Sequence, residues 1–158
     1  MGKQIKSKKR VSEHGEVFTS EREVNAMLDL VQEELKQLKS TVLEPACGTG
    51  NFLVEILKRK MDTVQSIYHS QHDYELYSLL AFSTIYGLDI QKDNVLESRK
   101  RLLDWFTDDY VSKFQSSSFK AASNCAQVHS FKEYSMCRFS FYEKRKEAAI
   151  DDGRMVFM

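Results

Sequence analysis

Apolar side chains recur at helical spacing in several stretches of this chain. The capping-box pattern Ser-x-x-Glu occupies residues 20–23, and apolar residues follow at intervals of three or four up to Leu38. This pattern predicts a helix over 21–38. Similar apolar spacing predicts further helices over 51–60, 73–82 and 94–106.

Two short runs of β-favouring residues lie between the predicted helices, at 41–44 and 83–90. The first run ends at Pro45, ahead of a turn that contains two glycines. The order strand, helix, strand, helix predicts a parallel sheet with crossover helices, so the predicted fold class is α/β with an N-terminal helix. The connection between the strands is long enough to hold an inserted helix and loop over about 61–82. Beyond about residue 112 the sequence shows no clear helical or strand period.

Composition narrows the class of protein without identifying it. The 158 residues are 42% hydrophobic and 29% charged, with a formal net charge of zero, which is typical of one folded domain. Three cysteines without a C-x-x-C pair argue against a disulfide framework or a cysteine zinc site, and favour a cytoplasmic location. No stretch approaches the roughly 20 apolar residues of a membrane span. His69 and His72 stand three residues apart without a recognisable metal-binding motif around them, so no metal site is predicted.

The N-terminal residues are strongly basic. The basic side chains are those of Lys3, Lys6, Lys8, Lys9 and Arg10. This charge pattern predicts a flexible lead-in over residues 1–12. It is interpreted either as a solvated tail or as an arm that contacts the phosphate backbone of a nucleic acid.

The most informative segment is the glycine-containing loop after the first predicted strand, Glu-Pro-Ala-Cys-Gly-Thr-Gly-Asn-Phe-Leu at 44–53. A phosphate-binding P-loop would require a lysine after the last glycine, and none is present at that spacing. A dinucleotide fingerprint would require Gly or Ala where Leu53 stands. An acidic residue followed by G-x-G instead suits an adenosine ligand with a charged amino-acid tail, because Glu44 would attract positive charge and repel phosphate.

This segment resembles the first motif of the S-adenosylmethionine-dependent DNA methyltransferases, the adenine-N6 family especially. Two more segments resemble that family in the same order: His-Gly-Glu-Val-Phe-Thr-Ser at 14–20, with Ser20 where the family has proline, and Tyr-Gly-Leu-Asp-Ile at 86–90. The resemblance implies a Rossmann-like methyltransferase fold, a parallel sheet flanked by helices. It further implies that 13–158 is a partial S-adenosylmethionine-binding catalytic domain, with residues 111–158 left unassigned.

The resemblance also implies roles for individual residues. Phe18 and Thr19 would wall the cofactor pocket, and Glu44 would lie near the methionine ammonium group. Asp89 would accept hydrogen bonds from the ribose hydroxyls, and Ile90 would pack on the adenine. The backbone cradle and the start of the following helix would be formed by Pro45, Ala46, Cys47, Gly48, Gly50, Asn51 and Phe52. For Cys47, a small buried residue in a tight turn is favoured over a reactive thiol.

The family's catalytic motif, [N/D/S]-P-P-[Y/F/W], is not in this sequence, because Pro45 is its one proline. No catalytic residue is therefore assigned, and the expectation is an N-terminal fragment of the methylase part of a restriction–modification enzyme, inactive alone. DNA, through parts mostly outside this chain, and a specificity or restriction subunit are the expected partners, and no membrane. A fragment of an RNA, protein or small-molecule methyltransferase and a non-enzymatic scaffold module stay as alternatives.

Overall fold

The computed structural model describes residues 5–114 and 139–141, which contain both helices and strands. In chain order they are α1 (Lys8–His14), α2 (Glu21–Asp29), α3 (Gln32–Leu35), β1 (Val42–Glu44), α4 (Asn51–Ile67), α5 (Gln71–Ser83), β2 (Ile85–Asp89), α6 (Lys92–Phe114) and β3 (Phe139–Phe141). None of the helices within this described part is long and apolar enough to cross a membrane.

The described strands form one parallel sheet in the order β1-β2-β3. Val42 pairs with Ile85 and Glu44 with Gly87, and on the other side Gly87 pairs with Phe139. The predicted α/β class with a parallel sheet is therefore confirmed. β3 was not predicted, because the sequence around it shows neither a helical nor a strand period of apolar residues.

Helix α4 is the centre of the hydrophobic core and contacts α2, α3, α5, α6 and β2. Leu53, Leu57, Met61 and Val64 recur every three or four residues along one face and are each no more than 1% exposed. Burying each of these side chains contributes about 1.5–3 kcal/mol. Because the apolar face continues past residue 60, α4 runs on to Ile67, and the prediction that the helix ends at 60 was too short.

The first predicted helix, 21–38, is interrupted. α2 ends at Asp29, and Leu30, which follows it, is 85% exposed. Val31 then takes a non-helical conformation with φ −119° and ψ 23° before α3 begins. The interruption turns the chain so that Leu35 reaches the core at 2% exposure. The prediction of one continuous helix was wrong because apolar spacing alone does not reveal such a turn.

The other predicted elements are present with shifted ends. α5 and β2 match 73–82 and 83–90 to within two residues, while α6 extends from Lys92 to Phe114 rather than over 94–106. The expected insertion after residue 60 consists of the last turns of α4 together with α5. Residues 115–138 and 142–158, most of the part left unassigned from the sequence, lie outside the described residues.

The basic N-terminal segment contains a helix, so the prediction of a flexible lead-in over 1–12 was wrong for residues 8–12. Ser7 caps α1 by accepting a hydrogen bond from the backbone N–H of Arg10, and Gly15 ends it in the left-handed conformation at φ 65°. Lys6 forms ion pairs with Asp93 and with Glu97 of α6, at 3.0 and 2.9 Å. These charges therefore hold the segment against α6.

Candidate functional site

A cavity of about 410 Å³ lies where β1 and β2 end. Three segments line it: the stretch between α1 and α2, the glycine loop between β1 and α4, and the end of β2 with the start of α6. Its volume falls within the range of small-molecule and cofactor sites. Ligands of parallel α/β sheets bind at this carboxyl edge of the strands.

Two left-handed glycines shape the loop between β1 and α4, with φ 51° at Gly48 and 86° at Gly50. The backbone N–H of Cys47 donates to the carbonyl of Leu88 at 2.8 Å, which fixes the loop to β2. α4 then begins at Asn51, and no side chain caps its first turn. The unpaired N–H groups and the positive end of the helix dipole therefore face the loop.

Asp89, the last residue of β2, connects the glycine loop to the second strand. Its Oδ2 accepts a hydrogen bond from the backbone N–H of Gly48 at 2.9 Å, and its Oδ1 accepts one from the N–H of Gln91 at 2.7 Å. An ionised carboxylate offers about four acceptor positions. The carboxylate is thus oriented by the backbone while it keeps the capacity to accept bonds from a ligand.

The segment before α2 closes one side of the cavity. A Cβ atom added to Gly48 would lie 3.2 Å from the ring of Phe18, so the aromatic ring packs directly on the loop. The backbone carbonyl of Thr19 accepts a hydrogen bond from Nδ2 of Asn51 at 2.8 Å. Residues far apart in sequence, 18–19 and 48–51, thereby form one wall.

The structure brings together eleven of the twelve residues that the sequence predicted for the site. Gly50 is the exception, because it faces α6: an added Cβ would lie 2.8 Å from Cβ of Ser98. Cys47 is 6% exposed, and burial raises the pKa of its thiol to about 12, so it stays protonated and unreactive near neutral pH. The individual binding roles of these residues stay predictions.

The charge of the cavity is acidic. Glu16, Glu44 and Asp89 line it, and no lysine or arginine is among the described residues that do so. Glu16 is paired with Arg10 at 2.6 Å, so the negative charge facing a ligand comes from Glu44 and Asp89. Glu44 accepts a hydrogen bond from the N–H of Ala46 at 3.2 Å, and Ile90 presents an apolar side chain that is 53% exposed. Such a lining suits a ligand with positive charge and an aromatic base, and opposes one with a pyrophosphate.

Arg101 on α6 stabilises the loop from behind, and sequence reasoning missed it. Its Nη1 donates to the carbonyl oxygen of Thr49 at 2.6 Å and to Oδ1 of Asn51 at 2.8 Å. Asn51 in turn holds Thr19. Nothing in the sequence links position 101 to the loop, because the contact forms only when α6 packs beside α4.

We expect Arg101→Ala to lower the free energy of unfolding by about 1.5–3 kcal/mol, the usual contribution of a hydrogen bond to a charged group. Urea denaturation followed by circular dichroism measures this difference. Lys100→Ala is the matched control, since Lys100 is 77% exposed and pairs with Asp104 at the surface, and it should change stability by less than about 0.5 kcal/mol. Equal effects of the two substitutions would contradict the role given to Arg101.

The described residues contain no group of three or more side chains that could hold a metal ion. The fold and the cavity together define the class of protein: an α/β protein with an acidic cavity, large enough for a nucleoside, at the ends of parallel strands.

The sequence model of the N-6 DNA methylase family matches residues 4–120 of the chain. This match covers most of the chain. The chain therefore belongs to the N-6 DNA methylase family. Comparisons with curated proteins and with solved structures give no match.

Proposed function

We propose that this cavity binds S-adenosylmethionine, and that the chain is the cofactor-binding part of a DNA adenine-N6 methyltransferase. One observation carries the proposal: the glycine loop lies beside an acidic lining, and none of the described residues in that lining is a lysine or an arginine. S-adenosylmethionine carries a sulfonium and an ammonium group and no phosphate, so its charge complements this lining. Family membership supports methylation of DNA.

The residues around the cavity divide the binding between them. Asp89, oriented by the N–H of Gly48, accepts hydrogen bonds from the ribose hydroxyls. Ile90 covers the adenine, and Glu44 lies on the side of the ammonium group. The ring of Phe18, packed on Gly48, excludes water from the side of the cavity on which the ammonium group lies. The bound cofactor supplies an activated methyl group, and these residues fix its position.

Methyl transfer requires residues that this sequence does not contain. The family's catalytic motif has two prolines, and Pro45 is the one proline here. That motif would hold an adenine flipped out of the duplex, because its amino group is otherwise paired inside the helix. The proposal therefore includes DNA as a partner, in a restriction–modification setting with a specificity or restriction subunit, and inactivity of the chain by itself.

Calorimetric titration with S-adenosylhomocysteine tests the proposal. We expect binding by the unaltered chain, and an affinity at least about tenfold lower for Asp89→Asn, which corresponds to about 1.4 kcal/mol. Asp104→Asn, an exposed carboxylate on α6, is the matched control and should bind as the unaltered chain does. The nicotinamide dinucleotide NAD should not bind, because its pyrophosphate would meet the acidic lining. Preference for NAD would contradict the proposal.

A further inference from the structure

A buried asparagine connects the end of β2 to the N-terminal segment. Asn94, in the first turn of α6, is 1% exposed. Its Nδ2 donates to Oε1 of Glu16 at 2.7 Å and lies 3.3 Å from Oδ1 of Asp89. Its Oδ1 accepts a hydrogen bond from Nζ of Lys6 at 2.8 Å. One side chain thus joins three charged groups from three parts of the chain.

The chemistry of these neighbours requires an amide at this position. The carboxylates of Glu16 and Asp89 accept hydrogen bonds, whereas the ammonium group of Lys6 donates them. An aspartate in place of Asn94 would put a third carboxylate between two others. An aliphatic residue would leave buried polar groups without their partner, which is costly at low exposure.

Glu16 is held equally firmly on its other side. Its side chain is 8% exposed, and Arg10 of α1 contacts both of its carboxylate oxygens, at 2.6 Å through Nε and 2.7 Å through Nη2. Arg10 also pairs with Asp93 at 2.5 Å, and this guanidinium lowers the pKa of Asp93 to about 2. Since Glu16 belongs to the segment 14–19 that lines the cavity, these contacts fix that wall to α6.

We propose that Asn94 and Glu16 are positioning residues of the cofactor site: their hydrogen bond fixes the wall 14–19 and, through Asn94, the orientation of the Asp89 carboxylate. The basic N-terminal residues Lys6 and Arg10 then act within the protein, as the outer supports of this connection. This role in cofactor binding rests on the proposed function, but the positioning itself can be measured without any ligand.

The test is amide hydrogen exchange, resolved by residue with NMR, on the ligand-free full chain. Asn94→Asp should increase exchange about tenfold at the hydrogen-bonded N–H groups of Gly15 and Glu16 in the wall and at the N–H of Gly48, which Asp89 holds, while α5 keeps its protection. Glu16→Ala should increase exchange at positions 15 and 16 without altering α6, so it remains a test if Asn94→Asp fails to fold. Glu13→Ala, an exposed residue of α1 that pairs with Lys9, is the control and should leave the wall unchanged.

Two results would overturn the inference. One is unchanged exchange at positions 15 and 16 in Glu16→Ala. The other is unchanged exchange at the N–H of Gly48 in a folded Asn94→Asp variant.

The affinity for S-adenosylhomocysteine separates this inference from the proposed function. Both single variants should bind it about tenfold more weakly than the unaltered chain. If the unaltered chain bound none while the exchange pattern followed the expectation, the proposed function would fail and the positioning of wall and carboxylate would stand.

Discussion

Gly50→Ala is expected to lower the free energy of unfolding by about 2–5 kcal/mol. Gly50 has φ 86°, a left-handed conformation that costs an L-residue about 1–2 kcal/mol. The added Cβ would also lie 2.8 Å from Cβ and 3.2 Å from Cα of Ser98, and such overpacking costs about 1–3 kcal/mol more. Because the Cα of Ser98 belongs to the backbone of α6, a side-chain rotation cannot relieve the clash. Urea denaturation of the purified chain measures the loss.

Gly15→Ala is the control that separates the two causes. Gly15 is also left-handed, at φ 65°, but nothing lies within 4 Å of an added Cβ. Its substitution should therefore cost about 1–2 kcal/mol, the conformational part alone. If both alanines cost the same, the close approach of the loop to α6 at Ser98 would be refuted.

Lys60→Met is expected to lower the free energy of unfolding at pH 7 by about 1–3 kcal/mol. Lys60 is completely buried, and its ammonium group donates to the backbone carbonyls of Gln37, Leu38 and Ser40, at 3.1, 3.4 and 2.8 Å. Methionine fills the same space, so little packing is lost, but these oxygens lose their charged donor. The loss of these hydrogen bonds accounts for most of the expected destabilisation. Lys58→Met, on the same helix and 35% exposed, is the control and should have little effect in urea denaturation.

The same lysine predicts a dependence of stability on pH. Burial lowers the pKa of Lys60 from its ordinary 10.5 to about 8. Between pH 8 and 10.5 the side chain at position 60 holds more protons in the unfolded chain than in the folded one. Its contribution to the free energy of unfolding therefore increases as pH rises, by at most about 1.4 kcal/mol per pH unit. The difference between the unaltered chain and Lys60→Met should therefore grow from pH 8 to about 10.5. A difference that stays constant would contradict a depressed pKa.

The sequence predicts the central unit of the fold, because periodicity and turn residues act locally. Leu53 and Leu57 mark the buried face of α4, and Gly48 and Gly50 mark the turn before it. Glu44 and Asp89 both stand at the ends of predicted strands. The site residues themselves came from the resemblance to methyltransferase motifs at 14–20, 44–53 and 86–90, and eleven of these twelve residues line the cavity.

Contacts between distant residues could not be predicted. Arg101 behind the loop, Asn94 between two carboxylates and Lys6 against α6 all depend on how α6 packs. Lysines and arginines near a terminus indicate a solvated tail or a nucleic-acid contact when considered alone. Lys6 and Arg10 form ion pairs within the chain only because α6 presents Asp93 and Glu97 to them.

Amide hydrogen exchange in the presence of saturating S-adenosylhomocysteine would show whether the cofactor occupies this cavity. If the cavity at the ends of β1 and β2 is the cofactor site, protection should increase in its three lining segments, 14–19, 44–52 and 89–94, and stay unchanged in α5. Protection confined to other parts of the chain, or absent from a folded chain, would contradict the assignment of this cavity to S-adenosylmethionine.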